Sequence, residues 1–355
     1  MTTIVDQYNF HGLLSLRIRR DRRSFADSFL VSTFAHYRTE PTDGQVDIDV
    51  TVAPFQADLR GAVRADGRWW VHRDCIVYDS RMKVARWRTE IAGLDGPRLR
   101  VRIDANTAGR LVFPGETIYS LVRLSLARRG LLLLHGPAVT RGGKALLMPA
   151  RGGTGKTITA INFARRGWGF MGDDSSIVTA DGVRSFVVPF NLRFTYDVER
   201  LLGIRFSRRK RTEIFLKKCL SMATLGGINL FSRIDPQEVF GRQIIDSAPL
   251  GAVYHLVQGP VAEISPRQPA EDFAESGLVN TLFEADELRT MLLVYCYANP
   301  GSPLRNLWET FREQLRDRLS RCICRRVTVP ARYTPSVFEM IQRQAEADLD
   351  GEGGP

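Results

Sequence analysis

Residues Leu131 to Asp174 read LLLLHGPAVTRGGKALLMPARGGTGKTITAINFARRGWGFMGDD. Inside this stretch, Ala150-Arg151-Gly152-Gly153-Thr154-Gly155-Lys156-Thr157 has the spacing of a phosphate-binding loop, with Ala where that motif opens on Gly. The apolar run Ala145 to Met148 before it reads as a buried strand. The segment after it reads as a helix with Ile158, Ile161 and Ala164 on one stripe. A strand-loop-helix context is what the chemistry requires. Glycines let the chain curl until successive backbone N–H groups point inward at phosphate oxygens, and the helix N-terminus adds its partial positive charge. Lys156 then reaches the β- and γ-phosphates of a nucleotide such as ATP, and the Thr157 hydroxyl is placed to ligate Mg2+. Residues Ala150 to Ile158 are therefore the expected nucleotide-binding segment.

The helix closes at Arg166-Gly167, where Gly suits a helix C-terminus, and Trp168 to Met171 reads as the next parallel strand. That strand delivers Gly172-Asp173-Asp174 to the carboxyl edge of the sheet, the edge at which open α/β sheets bind ligands. Adjacent acids at a strand end point to opposite sides. One can serve the metal and the other can take a proton from an acceptor hydroxyl.

The order His135-Gly136, strand, phosphate loop, helix ending in Arg166-Gly167, strand, Asp173-Asp174 resembles the bacterial HPr kinase/phosphorylase family and its HPr kinase-related relatives. The Gly-Thr-Gly-Lys-Thr and Gly-Asp-Asp strings are also similar to the kinase half of phosphoenolpyruvate carboxykinase, a structural cousin. The resemblance implies a P-loop kinase with ATP and Mg2+. Within it, His135 would lie beside the first acid, Asp173 would be the catalytic base, and Asp174 would join Thr157 on the metal side. It also implies a homo-oligomer of unspecified size. Two features depart from the family. Ile158 stands where the family has a metal-assisting Glu, and the family's Gly- and Asn-rich downstream loop is only echoed by Leu225-Gly226-Gly227-Ile228-Asn229. Kinase chemistry therefore transfers better than phosphorylase chemistry, and the acceptor does not transfer at all.

Working outward, His11 to about Asp104 is dominated by period-two alternation. Leu14, Leu16 and Ile18, then Val46 to Val52, then Leu99, Val101 and Ile103 each alternate with polar residues, as half-buried antiparallel strands do. Asp66-Gly67 before Trp69-Trp70 reads as a hairpin turn. Ser24 to Tyr37 reads as a short helix. The period becomes helical from Gly115 to Arg129, with Gly130 as the stop.

After Asp174, Ser175 to Val178 and Val183 to Val188 read as a hairpin. A basic block follows (Arg205, Arg208, Arg209, Lys210, Arg211, Lys217, Lys218), read as a solvated loop entering a helix, or as an arm over phosphates or an acidic substrate. Arg193 is a further candidate for the phosphoryl group. Leu250 to Val257 reads as a strand with Val261 to Ile264 as its partner, and His255 in it as a core histidine. Helices are expected at Pro269 to Ser276, Leu288 to Tyr297, Leu304 to Leu319 and Pro335 to Ala347, with a last strand at Arg325 to Val329.

The expected architecture is α+β overall. A small antiparallel β-rich N-terminal domain covers residues 1–114. An α/β P-loop domain with a mixed sheet flanked by helices covers residues 115–347, and a disordered tail covers residues 348–355.

Composition bounds the function. The chain has 355 residues, is 44% hydrophobic and carries a formal net charge of +11. Only six of its 50 basic residues are lysine, and the arginines are spread along the chain, a pattern that informs solubility more than nucleic-acid binding. No apolar run reaches membrane-spanning length, Met1 to Phe10 lacks the apolar core of a secretory leader, and five scattered cysteines suit a reducing compartment. The sequence thus predicts a cytoplasmic ATP-dependent phosphotransferase acting on a hydroxyl of a protein, peptide or small molecule. The rivals are an ATP-binding regulator without turnover and a carboxykinase-like or phosphorylase reaction, for which no Arg-Lys-His metal-carboxylate site can be assembled.

Overall fold

This computed structural model describes residues 3–21, 27–192, 198–223 and 232–351. Arg193, the Leu225 to Asn229 echo and residues 352–355 lie outside the described residues, as do the Lys217 and Lys218 side chains.

The chain is mixed α/β and divides into two compact units. One comprises Met1–Leu133 and Ala274–Arg316, and the other Leu134–Phe273 and Asp317–Pro355. The division differs from the expected break near residue 114. Chain punctuation marks loops, but it cannot show that a later segment returns to an earlier unit.

The first unit is built on a nine-stranded sheet among the described residues. The Asp66-Gly67 turn joins Val63–Ala65 to Trp69–His72, with both turn residues at positive φ. Most pairings are antiparallel, with one correction at the centre. Leu14–Arg20, Ile48–Val52 and Leu99–Ala105, the strands with the clearest alternation, pair in parallel. Alternation reports which face is buried and says nothing about strand direction. The long connections between these strands, one carrying the Asp27–Thr33 helix, supply the crossovers that parallel pairing needs. The expected helix from Gly115 is a π-helical stretch, Pro114–Ile118, running into the α-helix Tyr119–Ala127.

The second unit carries the glycine-rich stretch at residues 150–157. Its six-stranded sheet runs in the order Gly169–Gly172, Ala138–Arg141, Lys144–Leu147, Leu250–Gln258, Ile323–Val329, Glu263–Ile264. Ala138–Arg141 is antiparallel to both neighbours. Gly169–Gly172 therefore runs in the same direction as Lys144–Leu147, as expected, but the two are separated by the strand that begins just after His135-Gly136-Pro137. That insertion places three chain segments at one edge: the start of one strand and the carboxyl ends of its two neighbours. Glu263–Ile264 pairs antiparallel with Ile323–Val329 and not with Leu250–Gln258, so the expected hairpin there is corrected.

A smaller sheet joins Leu132–His135, whose last two residues open this unit, to Ser175–Thr179, Gly182–Arg184 and Ser247–Ala248. The helices Lys156–Arg165 and Pro335–Asp350 pack on the larger sheet through a shared core. In it Phe163 meets Phe338 edge-on at 5.0 Å and Trp168 at 4.4 Å. Each such ring contributes roughly 1.5–3 kcal/mol by leaving water, which holds the helix behind the phosphate loop in one place.

The last helix also corrects the tail. Asp348 was read as the start of disorder, yet it lies in the Pro335–Asp350 helix and is buried. Arg325 donates to both its oxygens at 2.7 and 2.9 Å, and Tyr254 Oη donates at 2.5 Å. The basic block is largely helix, Arg208–Ala223, with Phe215 and Leu216 exposed on it.

Candidate active site

The glycine-rich loop expected to bind phosphate leaves the Lys144–Leu147 strand through Met148 and Pro149. Ala150 sits at its root, fully buried. It bridges to Leu256, and its N–H donates to the His135 carbonyl at 3.4 Å. The methyl that replaces the usual Gly hydrogen is thus core packing, and Ala150 anchors the loop instead of opening it. Arg151, Gly152 and Gly153 are exposed at the crest, and the Thr154 hydroxyl closes the turn by donating to the Arg151 carbonyl at 2.8 Å. Gly155, at φ +84°, makes the left-handed step into the helix. The first helical hydrogen bond is Thr159 N–H to Gly155 O at 2.9 Å, so the N–H groups of Lys156, Thr157 and Ile158 stand at the open helix end where a phosphate would be met.

His135 enters from the smaller sheet. The turn after it passes so close to the loop's root that a Cβ on Gly136 would lie 2.6 Å from Pro149 Cα and 2.7 Å from the Met148 carbonyl oxygen. Only Gly fits there, and Ser176 Oγ fixes the turn by donating to the Gly136 carbonyl at 2.9 Å. The His135 ring therefore reaches the loop.

Asp173 and Asp174 leave the Gly169–Gly172 strand at the same edge, and three predicted side chains, those of His135, Lys156 and Thr157, converge with them. Lys156 Nζ contacts His135 Nε2 and lies 3.6 Å from Asp174 Oδ1. His135 Nδ1 lies 3.6 Å from that same oxygen, and Thr157 Oγ1 donates to Asp173 Oδ2 at 3.3 Å. Because an ammonium only donates, Nε2 accepts from Lys156, which leaves a ring proton on Nδ1 facing Asp174. His135, Lys156 and Asp173 are buried, while Asp174 is 42% exposed.

This arrangement reverses one expectation. The resemblance placed the histidine beside the first acid and the second acid with Thr157, but here His135 faces Asp174 and Thr157 faces Asp173. The pairing shifts register between Ala138 and Val139, and this irregularity next to the strand end bears on which of two adjacent acids turns to which side.

The two acids differ in chemistry as well as position. Burial, and then the negative charge of Asp174, push the Asp173 carboxyl up from 3.8 to about 7, against the pull of Lys156 and the Thr157 hydrogen bond. Thr157 and the two carboxylates are hard oxygen donors of the kind Mg2+ takes. That ion is held by one or two carboxylates together with substrate phosphates and water, so the residues fit it.

One neighbour escaped the sequence reading. The Tyr333 ring covers Gly155, where a Cβ would lie 3.0 Å from its Cδ2, and its hydroxyl accepts from Thr159 Oγ1 at 2.9 Å. Tyr333 is far along the chain from the loop and belongs to no motif, so no local signal could have found it. His255, by contrast, is on a strand against Phe273, where burial and then Arg326 lower its pKa, outside this cluster.

No family model matches the chain, and no curated protein matches it. Among solved structures it is similar to the Hpr(Ser) kinase/phosphatase from Coxiella burnetii, at 11% identity and a TM-score of 0.27, over 62% of this chain and 99% of that one.

Proposed function

We propose that this chain is an ATP-dependent phosphotransferase that moves the γ-phosphoryl group to a hydroxyl, either of a serine in a protein or peptide or of a small molecule. The observation that carries the reading is the meeting of Lys156, His135 and Asp174 at the mouth of a phosphate loop whose Thr157 holds the other acid, Asp173. Loop N–H groups and Lys156 bind and orient the triphosphate. Mg2+, when bound, neutralises phosphate charge from the Thr157 and Asp173 side. Asp174, the exposed acid, receives the acceptor proton, and the His135 Nδ1 proton steadies its carboxylate. The acceptor oxygen bonds to the γ-phosphorus as the bond to the bridging oxygen breaks and ADP leaves. This gives Asp173 to the metal and Asp174 to the acceptor, the reverse of the family-based assignment.

Ile158 in place of the family's Glu keeps a second reading, a regulator that binds ATP without turnover. Radiolabel transfer from γ-labelled ATP into cell extract separates the two, with Lys156→Ala and Asp174→Asn as controls. Label on an acceptor that disappears with both variants supports the kinase. Tight ATP binding with no labelled acceptor and no ADP formed would leave the regulator.

A further inference from the structure

A cavity of about 550 Å³ runs along the helix that starts at the phosphate loop, within the range of small-molecule sites. It begins at Ile158, the residue after Thr157, and continues past Asn162 to Arg166, about 12 Å along the helix at 1.5 Å per residue. Leu201, Tyr333 and Phe338 supply its apolar walls. Tyr333 is the same ring that covers Gly155, so the cavity and the phosphate loop share a wall. Arg165 also lines it but is committed to structure, donating to the Arg200 and Leu201 carbonyls at 3.3 and 3.4 Å. Arg166 stands over the Phe338 ring at 5.7 Å and is exposed. Among the described residues, no carboxylate lines the cavity.

Resting on the phosphate-loop reading above, we infer that this cavity seats the nucleoside of the bound nucleotide and that it selects a purine. A triphosphate whose γ end lies at Asp174 and whose inner phosphate meets the open N–H groups of Thr157 and Ile158 must continue past Ile158. The cavity opens at that point. Apolar and aromatic walls suit the faces of a planar base. Midway along the cavity Asn162 offers an amide donor, and at the far end Arg166 offers a guanidinium donor. The N7 edge of a purine accepts from both side-chain types, whereas a pyrimidine has no such edge and is shorter.

The test is titration calorimetry on the full chain with Mg2+ and either ATP, GTP, CTP or inorganic tripolyphosphate. ATP or GTP should bind the wild type at least about tenfold tighter than tripolyphosphate or CTP, the scale of one base's stacking and edge contacts. Asn162→Trp, which fills the cavity, should bring ATP down to the tripolyphosphate level. Arg166→Ala, at an exposed site, should weaken purine nucleotides alone, and unliganded melting temperatures report whether either variant folds. If ATP binds no better than tripolyphosphate, if CTP matches ATP, or if folded Asn162→Trp binds ATP like the wild type, the base assignment falls. If neither ATP nor tripolyphosphate binds the wild type, the phosphate-loop reading falls and takes this assignment with it.

Discussion

Asp173→Asn should make the nucleotide-free protein more stable at pH 8 while leaving it nearly unchanged at pH 5. The folded carboxyl titrates at about 7 against 3.8 for the ordinary value. Between those values the folded state therefore holds a proton that the unfolded state has released. A raised acid contributes stability at low pH that is lost as pH rises, at up to about 1.4 kcal/mol per pH unit until the folded carboxyl has also ionised. The shift of about three units sets a ceiling near 4 kcal/mol for the cost of the charged, buried carboxylate beside Asp174. Asn cannot ionise and can keep accepting from Thr157, but burying its extra N–H groups costs about 1–3 kcal/mol, so the net gain at pH 8 is roughly 1–3 kcal/mol.

Urea unfolding in chelator at pH 5, 6, 7 and 8 measures this directly. Every other titrating group is common to both proteins, so the difference curve reports position 173 together with its coupling to Asp174 and Lys156. It should rise from near zero at pH 5 and level off above 7. A difference that stays flat across that range would refute the account of Asp173 as a buried acid held against its charge.

Lys156→Ala removes the ammonium that meets His135 and Asp174 and should weaken ATP binding about ten- to a hundredfold, measured by calorimetry. Asp174→Asn should bind Mg·ATP at least as tightly as the wild type yet lose about 10²–10⁴ in transfer rate, whereas Asp173→Asn should lose Mg-dependent ATP affinity; the opposite pattern would restore the family-based assignment. Asp348→Ala, or truncation after Ala347, should destabilise by about 1.5–3 kcal/mol in urea, because half-buried Arg325 and buried Tyr254 lose their charged acceptor. Burial alone would raise Asp348, but hydrogen bonds from Arg325 and Tyr254 outweigh it and hold the carboxyl below 3.8. That contribution is complete at neutral pH and fades as the solution is acidified through the folded pKa.

The strand-loop-helix unit around residues 150–157 was legible because the motif's spacing is local. Gly155, Lys156 and Thr157 must be consecutive, and a helix must start there. His135-Gly136 was legible as a pair, though its reason, the close pass of Gly136 against Met148 and Pro149, required coordinates. What sequence could not carry is direction and parity. Alternation at Leu14–Arg20, Ile48–Val52 and Leu99–Ala105 fixed the buried faces and left the parallel pairing open. Adjacency of Asp173 and Asp174 fixed that they diverge, while the register shift at Ala138 and Val139 hides which faces Thr157. Asp348 looked like tail because a lone acid near a chain end usually meets water. Its partner Arg325 lies on a strand, and side-chain pairing between distant elements leaves no local trace.

Without nucleotide, the site already neutralises its own charges. Lys156 is shared between His135 and Asp174, and Thr157 is given to Asp173. A triphosphate must therefore compete with Asp174 for Lys156. On the kinase reading proposed above, phosphate oxygens that win that ammonium would draw it away from Asp174 as the γ-phosphoryl group arrives. Asp174→Asn is therefore expected to bind ATP no worse than the wild type while failing at transfer. Were Asp174 instead a metal ligand, the same substitution would weaken ATP in the presence of Mg2+ and leave metal-free nucleotide affinity nearly unchanged.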